Sequence, residues 1–223
     1  MRSSSTAKRS PAEARAVHDL DAIRRFIAPL APPVYAFEAS IRSTPFRILI
    51  SVLLSARTQD AVTEKAASRL FAAAATPRKM ARLSRTKVER LIYPVGFYRT
   101  KAEHILRICA VLNRGGKFPA TLEGLLELPG IGRKSANLVL ALAFARPAVA
   151  VDTHVFRIAR RLGWAGGRSP ADVEKELERL FPKRLWARVN QVLVGFGQTV
   201  CRPIGPKCPM CDLKKTCPSA NIK

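Results

Sequence analysis

The stretch LPGIGRKSANLVLALAF, residues 128–144, joins two helical patterns through a turn that contains two glycines. Pro129 ends the first pattern, and Gly130 and Gly132 permit positive φ values and a close approach of the backbone. The amides of such a turn point outward at the start of the second helix, where they suit an anion such as a phosphate. The stretch therefore predicts a helix-hairpin-helix motif with its hairpin at 128–133, and an ordinary turn between antiparallel helices is the alternative.

Two cations, Arg133 and Lys134, stand at the mouth of the second helix, although the positive end of a helix repels cations. The residues that follow, 136–144, are almost wholly apolar, so we expect this helix to be buried on most sides. Arg133 is interpreted as a permanent cation that faces a phosphate. Lys134 emerges from an apolar wall, where an amine that loses its proton is a nucleophile that can form a Schiff base. Simple binding of a phosphate is the alternative for Lys134.

The charge of the chain favours a polyanionic partner. Of 223 residues, 39 are Lys or Arg and 16 are Asp or Glu, which gives a formal net charge of +23. Nucleic acid is the first candidate for such a field, an anionic membrane surface is the second, and a basic protein without a specific polyanion is the third. A hydrophobic fraction of 48% is ample for a packed core.

The sequence predicts no membrane insertion, because no run approaches the roughly 18 apolar residues of a spanning helix. Residues 1–16 are interpreted as a disordered basic tail, and the start of an organellar transit peptide is the alternative. No apolar signal segment is present near the start. We therefore expect an intracellular location, cytoplasmic or associated with the nucleoid, where thiols stay reduced and the five cysteines serve as metal ligands or core residues.

Hydrophobic periodicity indicates helices along nearly the whole chain. Leu20, Ile23 and Ile27 follow a helical spacing, and the pair Thr44-Pro45 is typical of a helix start. Asp60 is expected to cap the next helix. Only one brief β-branched run occurs, so the predicted class is all-α, with at least nine short helices.

A second polar residue lies in the segment AVDTHVFRIARRLG, where Asp152 ends an apolar run and begins a helix. An aspartate at this position usually caps the helix. Its carboxylate could also act as a base for an amine and stabilise a developing cation. His154, in the first turn, is interpreted as a phosphate contact or as a packing residue.

Several stretches resemble the endonuclease III family of DNA glycosylases. They are LLSARTQD, PVGFYRTKAEHI, LPGIGRKSANLVL, AVDTHVFRIARRLG and the closing cysteine run, and they span roughly residues 38–217. The resemblance implies that Lys134 attacks C1′ of a flipped nucleotide and that Asp152 assists it. It further implies a bifunctional enzyme that releases an oxidised pyrimidine and cleaves the strand by β-elimination.

The run CRPIGPKCPMCDLKKTC spaces four cysteines as C-x6-C-x2-C-x5-C, which is a strong metal signal. Zinc is one candidate, but zinc sites usually contain two closely spaced pairs. The spacing matches the endonuclease III pattern, which implies a [4Fe–4S] cluster on Cys201, Cys208, Cys211 and Cys217. Basic residues between these ligands are expected to grip phosphates: Arg202, Lys207, Lys214 and Lys215. Cys109 is predicted to be a core residue.

Two positions depart from the family pattern. Arg57 stands where many relatives have Gln, at a residue thought to fill the gap left by the flipped nucleotide and to meet the orphan base. Arg57 could favour guanine edges there, or it could only bind phosphate. Phe97 stands where relatives often have a Leu wedge, and an aromatic ring could stack between bases. Gln59 is included among the expected DNA contacts.

With this resemblance, we expect two helical domains with a DNA-binding cleft between them. Residues 38–146 would form a six-helix domain with the hairpin, and 17–37 plus 147–223 would form the iron-sulfur domain. The expected partner is duplex DNA, bound by a monomer. Alternatives are an adenine glycosylase, which the hairpin lysine argues against, a monofunctional glycosylase for mismatched or alkylated bases, and a non-catalytic iron-sulfur DNA-binding protein.

Overall fold

The computed structural model describes residues 10–41, 43–115 and 117–220, and within these ranges the regular structure is entirely helical. Short 3₁₀ turns occur at Ala28–Leu30, Lys183–Leu185 and Cys208–Met210. The α-helices are α1 (Pro11–Ile27), α2 (Pro33–Ile41), α3 (Pro45–Ser55), α4 (Asp60–Ala73), α5 (Pro77–Met80), α6 (Arg85–Ile92), α7 (Tyr98–Asn113), α8 (Leu122–Leu126), α9 (Arg133–Phe144), α10 (Thr153–Arg161), α11 (Pro170–Leu180) and α12 (Trp186–Thr199). The predicted all-α class is confirmed.

The chain divides into two compact units. One contains Pro33–Ala150, and the other combines the described residues up to Pro32 with those from Val151 onward. The predicted domain boundary at 37/38 falls inside α2, which packs against α3 and α4 of the first of these units. The described residues of that unit form eight helices, of which six have at least eight residues and two, α5 and α8, are single turns.

The unit of residues 33–150 is built around α3, in which eight of eleven residues are buried. Thr44 caps this helix by accepting the amide of Arg47, and Pro45 occupies the first turn, as the sequence predicts. Helix α3 packs against α4 and α9. Because the apolar side chains of all three helices meet there, truncation of one buried leucine of α3 would cost about 2–5 kcal/mol.

The start of α4 differs from the sequence expectation for Asp60. The N-cap residue is Gln59, whose side chain makes no capping hydrogen bond, and Asp60 is the first residue of the helix. A carboxylate in the first helical turn complements the positive end of the helix dipole without acting as the cap.

The other unit is centred on α12, which packs against α1 and α10. These three helices supply many of its buried core side chains: Leu20, Ile23, Ile27, Val155, Ile158, Val189, Val192, Leu193 and Phe196. Helix α11 adds Val173 and Leu177. The apolar stripe of α1 therefore serves as a packing surface for a helix far away in sequence.

The first helix begins earlier than the predicted tail allows. Helix α1 starts at Pro11, so the assignment of 1–16 to a disordered tail is wrong for residues 11–16. Ser10 accepts the amide of Glu13, and the Glu13 carboxylate accepts the amide of Ser10, which forms a capping box. Residues 1–9 of that prediction lie outside the described residues.

None of the helices in the described part of the chain combines the length and the apolar character needed to cross a bilayer.

Candidate active site and nucleic-acid interface

The predicted hairpin lies between α8 and α9. Leu128 and Ile131 are buried and anchor the turn, and the amide of Ile131 donates to the carbonyl of Leu128 at 3.1 Å. Gly130 has φ 76°, and a Cβ at this position would lie 2.2 Å from Nδ1 of His104. Gly130 is therefore required both by its left-handed backbone and by the side chain packed against it.

The start of α9 has no side-chain cap. Its N-cap residue is Gly132, which has no side chain to accept a hydrogen bond, and no acidic residue lies in the first turn. Arg133 is exposed and Lys134 is half-buried. The backbone amides, the positive helix end and the two cations make this turn suited to an anion.

A buried hydrogen bond fixes α9 one turn beyond Lys134. Asn137 is 3% exposed, and its side-chain amide donates to the carbonyl of Val149 at 2.9 Å. Val149 belongs to the extended segment that leads toward Asp152 in the sequence. This hydrogen bond thus ties α9, one turn after Lys134, to a second segment of the same unit.

Asp152 lies in the other unit, where it is the N-cap of α10. Its Oδ1 accepts the amide of Val155 at 2.8 Å, and the residue is half-buried. This hydrogen bond is the capping role expected from the sequence, and it uses one of the two carboxylate oxygens.

His154 packs in the first turn of α10. A Cβ on Gly197 of α12 would lie 2.2 Å from His154 Nδ1, so the ring contacts the bare backbone of α12. Arg157 lies 3.2 Å from the same nitrogen through its Nη2. Because a guanidinium can only donate, this contact is a hydrogen bond in the tautomer whose Nδ1 is the acceptor and whose Nε2 carries the proton.

Two arginines of α10 hold the segment that begins at Cys201. Arg157 Nη2 donates to the carbonyl of Cys201 at 3.0 Å. Arg161 donates to the carbonyls of Arg202 at 2.7 Å and Pro203 at 3.1 Å, and it lies 3.5 Å from the Cys201 sulfur. The helix that Asp152 caps therefore ends in direct contact with the cysteine segment.

The four cysteines of the closing run line one pocket: Cys201, Cys208, Cys211 and Cys217. Within the described ranges, no three side chains of His, Cys, Asp or Glu are arranged to hold a single metal ion. Burial, together with the neighbouring cysteines, raises the pKa of Cys211 and of Cys217. A bound metal centre would favour the thiolate forms of these side chains.

The basic residues of the cysteine segment are all exposed: Arg202, Lys207, Lys214 and Lys215. The apolar Ile204 of the same segment is 90% exposed, whereas Leu213 is buried and anchors it. The segment is therefore anchored by Leu213 while its cations face solvent.

Arg57 and Phe97 lie next to each other in the unit of residues 33–150. The Arg57 guanidinium carbon is 5.5 Å from the centre of the Phe97 ring. Both residues are exposed, and both have left-handed φ values, 53° and 57°. Gln59 follows on the same loop and is also exposed. The sequence predicts Arg57 and Phe97 separately and does not predict that they stack.

Sequence reasoning missed Lys101, which is buried at 6% exposure in the second turn of α7. Its Nζ donates to the carbonyls of Leu54 at 2.8 Å and Ala56 at 2.5 Å. The available signal was its spacing, because Lys101 occupies the same helical stripe as the buried Ile105 and Ile108. A charged residue on an apolar stripe requires acceptors within the core.

The chain is similar to known proteins of base excision DNA repair and to endonuclease III. Residues 50–183 match the family described as HhH-GPD superfamily base excision DNA repair protein. Endonuclease III of Thermotoga maritima is 47% identical over 175 residues, which cover 78% of this chain and 82% of that protein. Endonuclease III-like protein 1 of Mus musculus is 41% identical over 191 residues, which cover 83% of this chain and 64% of the mouse protein.

A solved structure of a trapped endonuclease III–DNA covalent intermediate, an estranged-adenine complex, has a TM-score of 0.83 to this chain. It is 34% identical, and the match covers 93% of this chain and 96% of that one. The sequence identity and the coverage of these matches are high, and the hairpin before α9 is consistent with them. The chain therefore belongs to the endonuclease III family, within the HhH-GPD superfamily of base excision DNA repair proteins.

Proposed function

We propose that this protein is a bifunctional DNA glycosylase and AP lyase of base excision repair. It removes oxidised pyrimidines from duplex DNA and cleaves the abasic strand by β-elimination through a Schiff base on Lys134. The observation that carries the proposal is the half-buried Lys134 in the uncapped first turn of α9, directly after the hairpin. Membership in the endonuclease III family supports the reaction class.

Lys134 is the nucleophile of the proposed reaction. The lone pair of its neutral amine attacks C1′ of the damaged nucleotide, and the N-glycosidic bond breaks as the base departs with its electrons and takes up a proton. The resulting amine loses a proton, and its lone pair forms a C=N bond as the C1′–O4′ bond breaks and O4′ takes up a proton, which opens the sugar ring and gives a protonated Schiff base between Nζ and C1′. Removal of a C2′ proton then allows the C3′–O bond to break, which cleaves the strand.

Asp152 assists this attack. Its Oδ1 is held by the amide of Val155, so the carboxylate has a fixed orientation, and its second oxygen can take a proton or stabilise positive charge at the sugar. Capping and catalysis are compatible, because the cap needs one oxygen.

The turn before α9 binds a backbone phosphate. Gly130 and Gly132 leave the amides accessible, and Arg133 adds a permanent charge. His154, whose Nε2 carries a proton, donates to a second phosphate. The exposed cations of the cysteine segment add further contacts: Arg202, Lys207, Lys214 and Lys215.

A [4Fe–4S] cluster is the cofactor that fits the cysteine segment. Its ligands are Cys201, Cys208, Cys211 and Cys217, which line one pocket. Their spacing, C-x6-C-x2-C-x5-C, supports a cluster over zinc, because zinc sites usually contain two closely spaced pairs. When bound, the cluster supplies a cross-link that fixes the basic segment.

Arg57, Gln59 and Phe97 read the base that remains in the duplex. Phe97 stacks in the gap, and Arg57 donates to the edge of the orphan base, with a preference for guanine. Both residues are exposed on adjacent loops, which supports a direct contact with the duplex.

Borohydride reduction on abasic-site DNA tests the proposal. The protein is expected to form a covalent adduct, which Lys134→Ala abolishes. Arg133→Ala is the matched control, because it removes a cation from the same turn and should weaken binding while it retains the adduct. On a second duplex that contains an oxidised pyrimidine, base release without an adduct would instead identify a monofunctional glycosylase, and binding without either reaction would identify a non-catalytic DNA-binding protein.

A further inference from the structure

Lys101 places a buried cation at the end of α3. The last carbonyls of an α-helix have no partners within the helix, and a cation near them is stabilising. Lys101 Nζ donates to the carbonyl of Leu54, in the last turn of α3, and to that of Ala56, its C-cap residue. A lysine on the buried stripe of α7 thereby completes the end of a different helix.

The same ammonium reaches the loop that follows. Its Nζ lies 3.3 Å from Oγ1 of Thr58, and this oxygen accepts the amide of Gly96 at 3.1 Å. A Cβ on Gly96 would lie 2.6 Å from the carbonyl oxygen of Arg57, so the two loop backbones are in direct contact. Lys101 and Thr58 thus join the loop after α3 to the loop before α7.

These two loops carry the stacked pair of Arg57 and Phe97. A left-handed conformation is unfavourable for residues other than glycine and persists where the surroundings impose it. Here it occurs in both members of the pair, one on each loop, and the contacts that join the loops come from Lys101 and Thr58. The exposed side chains therefore stand on two loops that are joined by a buried and partly buried hydrogen-bond network.

We propose that Lys101 is a positioning residue for nucleotide extrusion, because it clamps the two loops so that Arg57 and Phe97 enter the duplex as one preformed wedge. The inference rests on the proposed function and adds to it a residue outside the reacting centre that influences extrusion of the nucleotide. A wedge that is already ordered in the free protein does not lose loop and side-chain entropy when it binds DNA. A wedge that is held in the wrong position would slow the reaction, because the nucleotide would then be misaligned with the reacting groups. The ammonium acts through the loops and does not touch the substrate.

Lys101→Met removes the ammonium and keeps most of the side-chain volume. Lys79→Met is the matched control, since Lys79 is exposed on α5, which contacts the far end of α7 through the hydrogen bond of Asn113 to Pro77. Thr58→Val is a milder second variant that removes the shared hydroxyl, and Thr58→Ser retains it. Thermal unfolding establishes that each variant is folded, so the Thr58 pair decides the outcome if Lys101→Met does not fold.

The substrates are a duplex with one abasic site opposite 2-aminopurine and a single strand with the same abasic site. Borohydride trapping on the single strand needs Lys134 but no extrusion. For Lys101→Met we expect duplex trapping to slow about tenfold or more, with loss of the 2-aminopurine fluorescence change and unchanged single-strand trapping. Thr58→Val should shift the same readouts in the same direction, and Thr58→Ser should restore them.

The outcomes separate this inference from the proposed function. If the unmodified protein traps neither substrate, the proposed function fails. If it traps both, and folded Lys101→Met matches Lys79→Met on the duplex, the positioning role is overturned. Equal slowing on duplex and single strand would also overturn it, because the effect would then lie in the chemistry at Lys134.

Discussion

The side-chain amide of Asn137 donates to the carbonyl of Val149 at 2.9 Å within a buried environment. Asn137 lies one turn after Lys134 on α9, and Val149 lies on the segment that runs toward Asp152. One hydrogen bond therefore joins the helix that carries Lys134 to the segment that precedes Asp152 in the sequence.

Asn137→Ala is expected to destabilise the protein by about 1–3 kcal/mol, because it leaves a buried carbonyl without its partner. Asn113→Ala is the matched control: Asn113 also donates to a carbonyl, that of Pro77, but at an exposed position. We expect the control to change the free energy of unfolding by only a few tenths of a kcal/mol. Equal values for the two variants in denaturant titrations would show that burial of this bond is unimportant.

Gly130→Ala is expected to destabilise the hairpin. An alanine there would adopt φ 76°, and its Cβ would lie 2.2 Å from His104 Nδ1. We expect a loss of about 1–3 kcal/mol in the free energy of unfolding. At Gly132, φ is −91° and a Cβ would meet no atom within 4 Å, so Gly132→Ala should be much milder.

The two causes at Gly130 can be separated with a second substitution. The double variant Gly130→Ala with His104→Ala removes the steric contact and keeps the backbone strain. Gly130→Ala should therefore lower the free energy of unfolding less in the His104→Ala variant than it does in the unmodified protein. No such recovery would mean that the backbone conformation alone requires glycine.

The hairpin was predictable because it is a local pattern, in which residue type and spacing specify the turn. The spacing of the cysteine run likewise predicts that its four cysteines lie together, and they line one pocket. The cap at Asp152 follows from the same local logic. Lys101 was not predictable in its role, because its acceptors on Leu54, Ala56 and Thr58 are more than forty residues away in sequence. Contacts of that kind depend on how the helices pack, which periodicity does not specify.

The helix start at Pro11 illustrates a different limit. The composition of the first residues favours disorder, but the capping box of Ser10 and Glu13 supplies partners for two amides that an uncapped helix leaves open. A local signal within a polar segment thus outweighed the composition of the segment as a whole.

Cys208→Ser is expected to abolish cluster assembly, because a [4Fe–4S] cluster needs its four thiolates. Cys109→Ala is the matched control, because Cys109 is buried in the other unit among apolar side chains, and burial raises its pKa to about 12. Iron and acid-labile sulfide assays should find four of each per chain in the control and almost none in Cys208→Ser. Stoichiometric zinc in the unmodified protein would contradict the cluster assignment.

The cations of the cysteine segment should contribute to the salt dependence of DNA binding. Removing two phosphate contacts with the pair Lys214→Ala and Lys215→Ala should reduce the slope of log K against log salt by about 2 at most. The adjacent exposed pair Arg78 and Lys79 on α5 provides a control with the same loss of charge. Binding isotherms at several salt concentrations measure both slopes, and identical slopes would remove Lys214 and Lys215 from the interface.

Lys101 should make stability depend on pH in alkaline solution. Burial lowers its pKa from 10.5 to about 8, so the folded protein releases this proton before the unfolded chain does. Below pH 8 both states hold the proton, and this group adds no slope. Between pH 8 and 10.5 the unfolded chain binds more protons, so the free energy of unfolding contributed by Lys101 rises with pH.

The unmodified protein should therefore gain stability relative to Lys101→Met across this window, by at most about 3 kcal/mol. The comparison cancels the other lysines and tyrosines, which titrate in both proteins. Denaturant titrations at pH 7, 8.5 and 10 measure the difference. A difference that stays constant, or that falls as the pH rises, would show that the folded structure does not penalise the Lys101 ammonium, and that its carbonyl acceptors fully replace the water it loses.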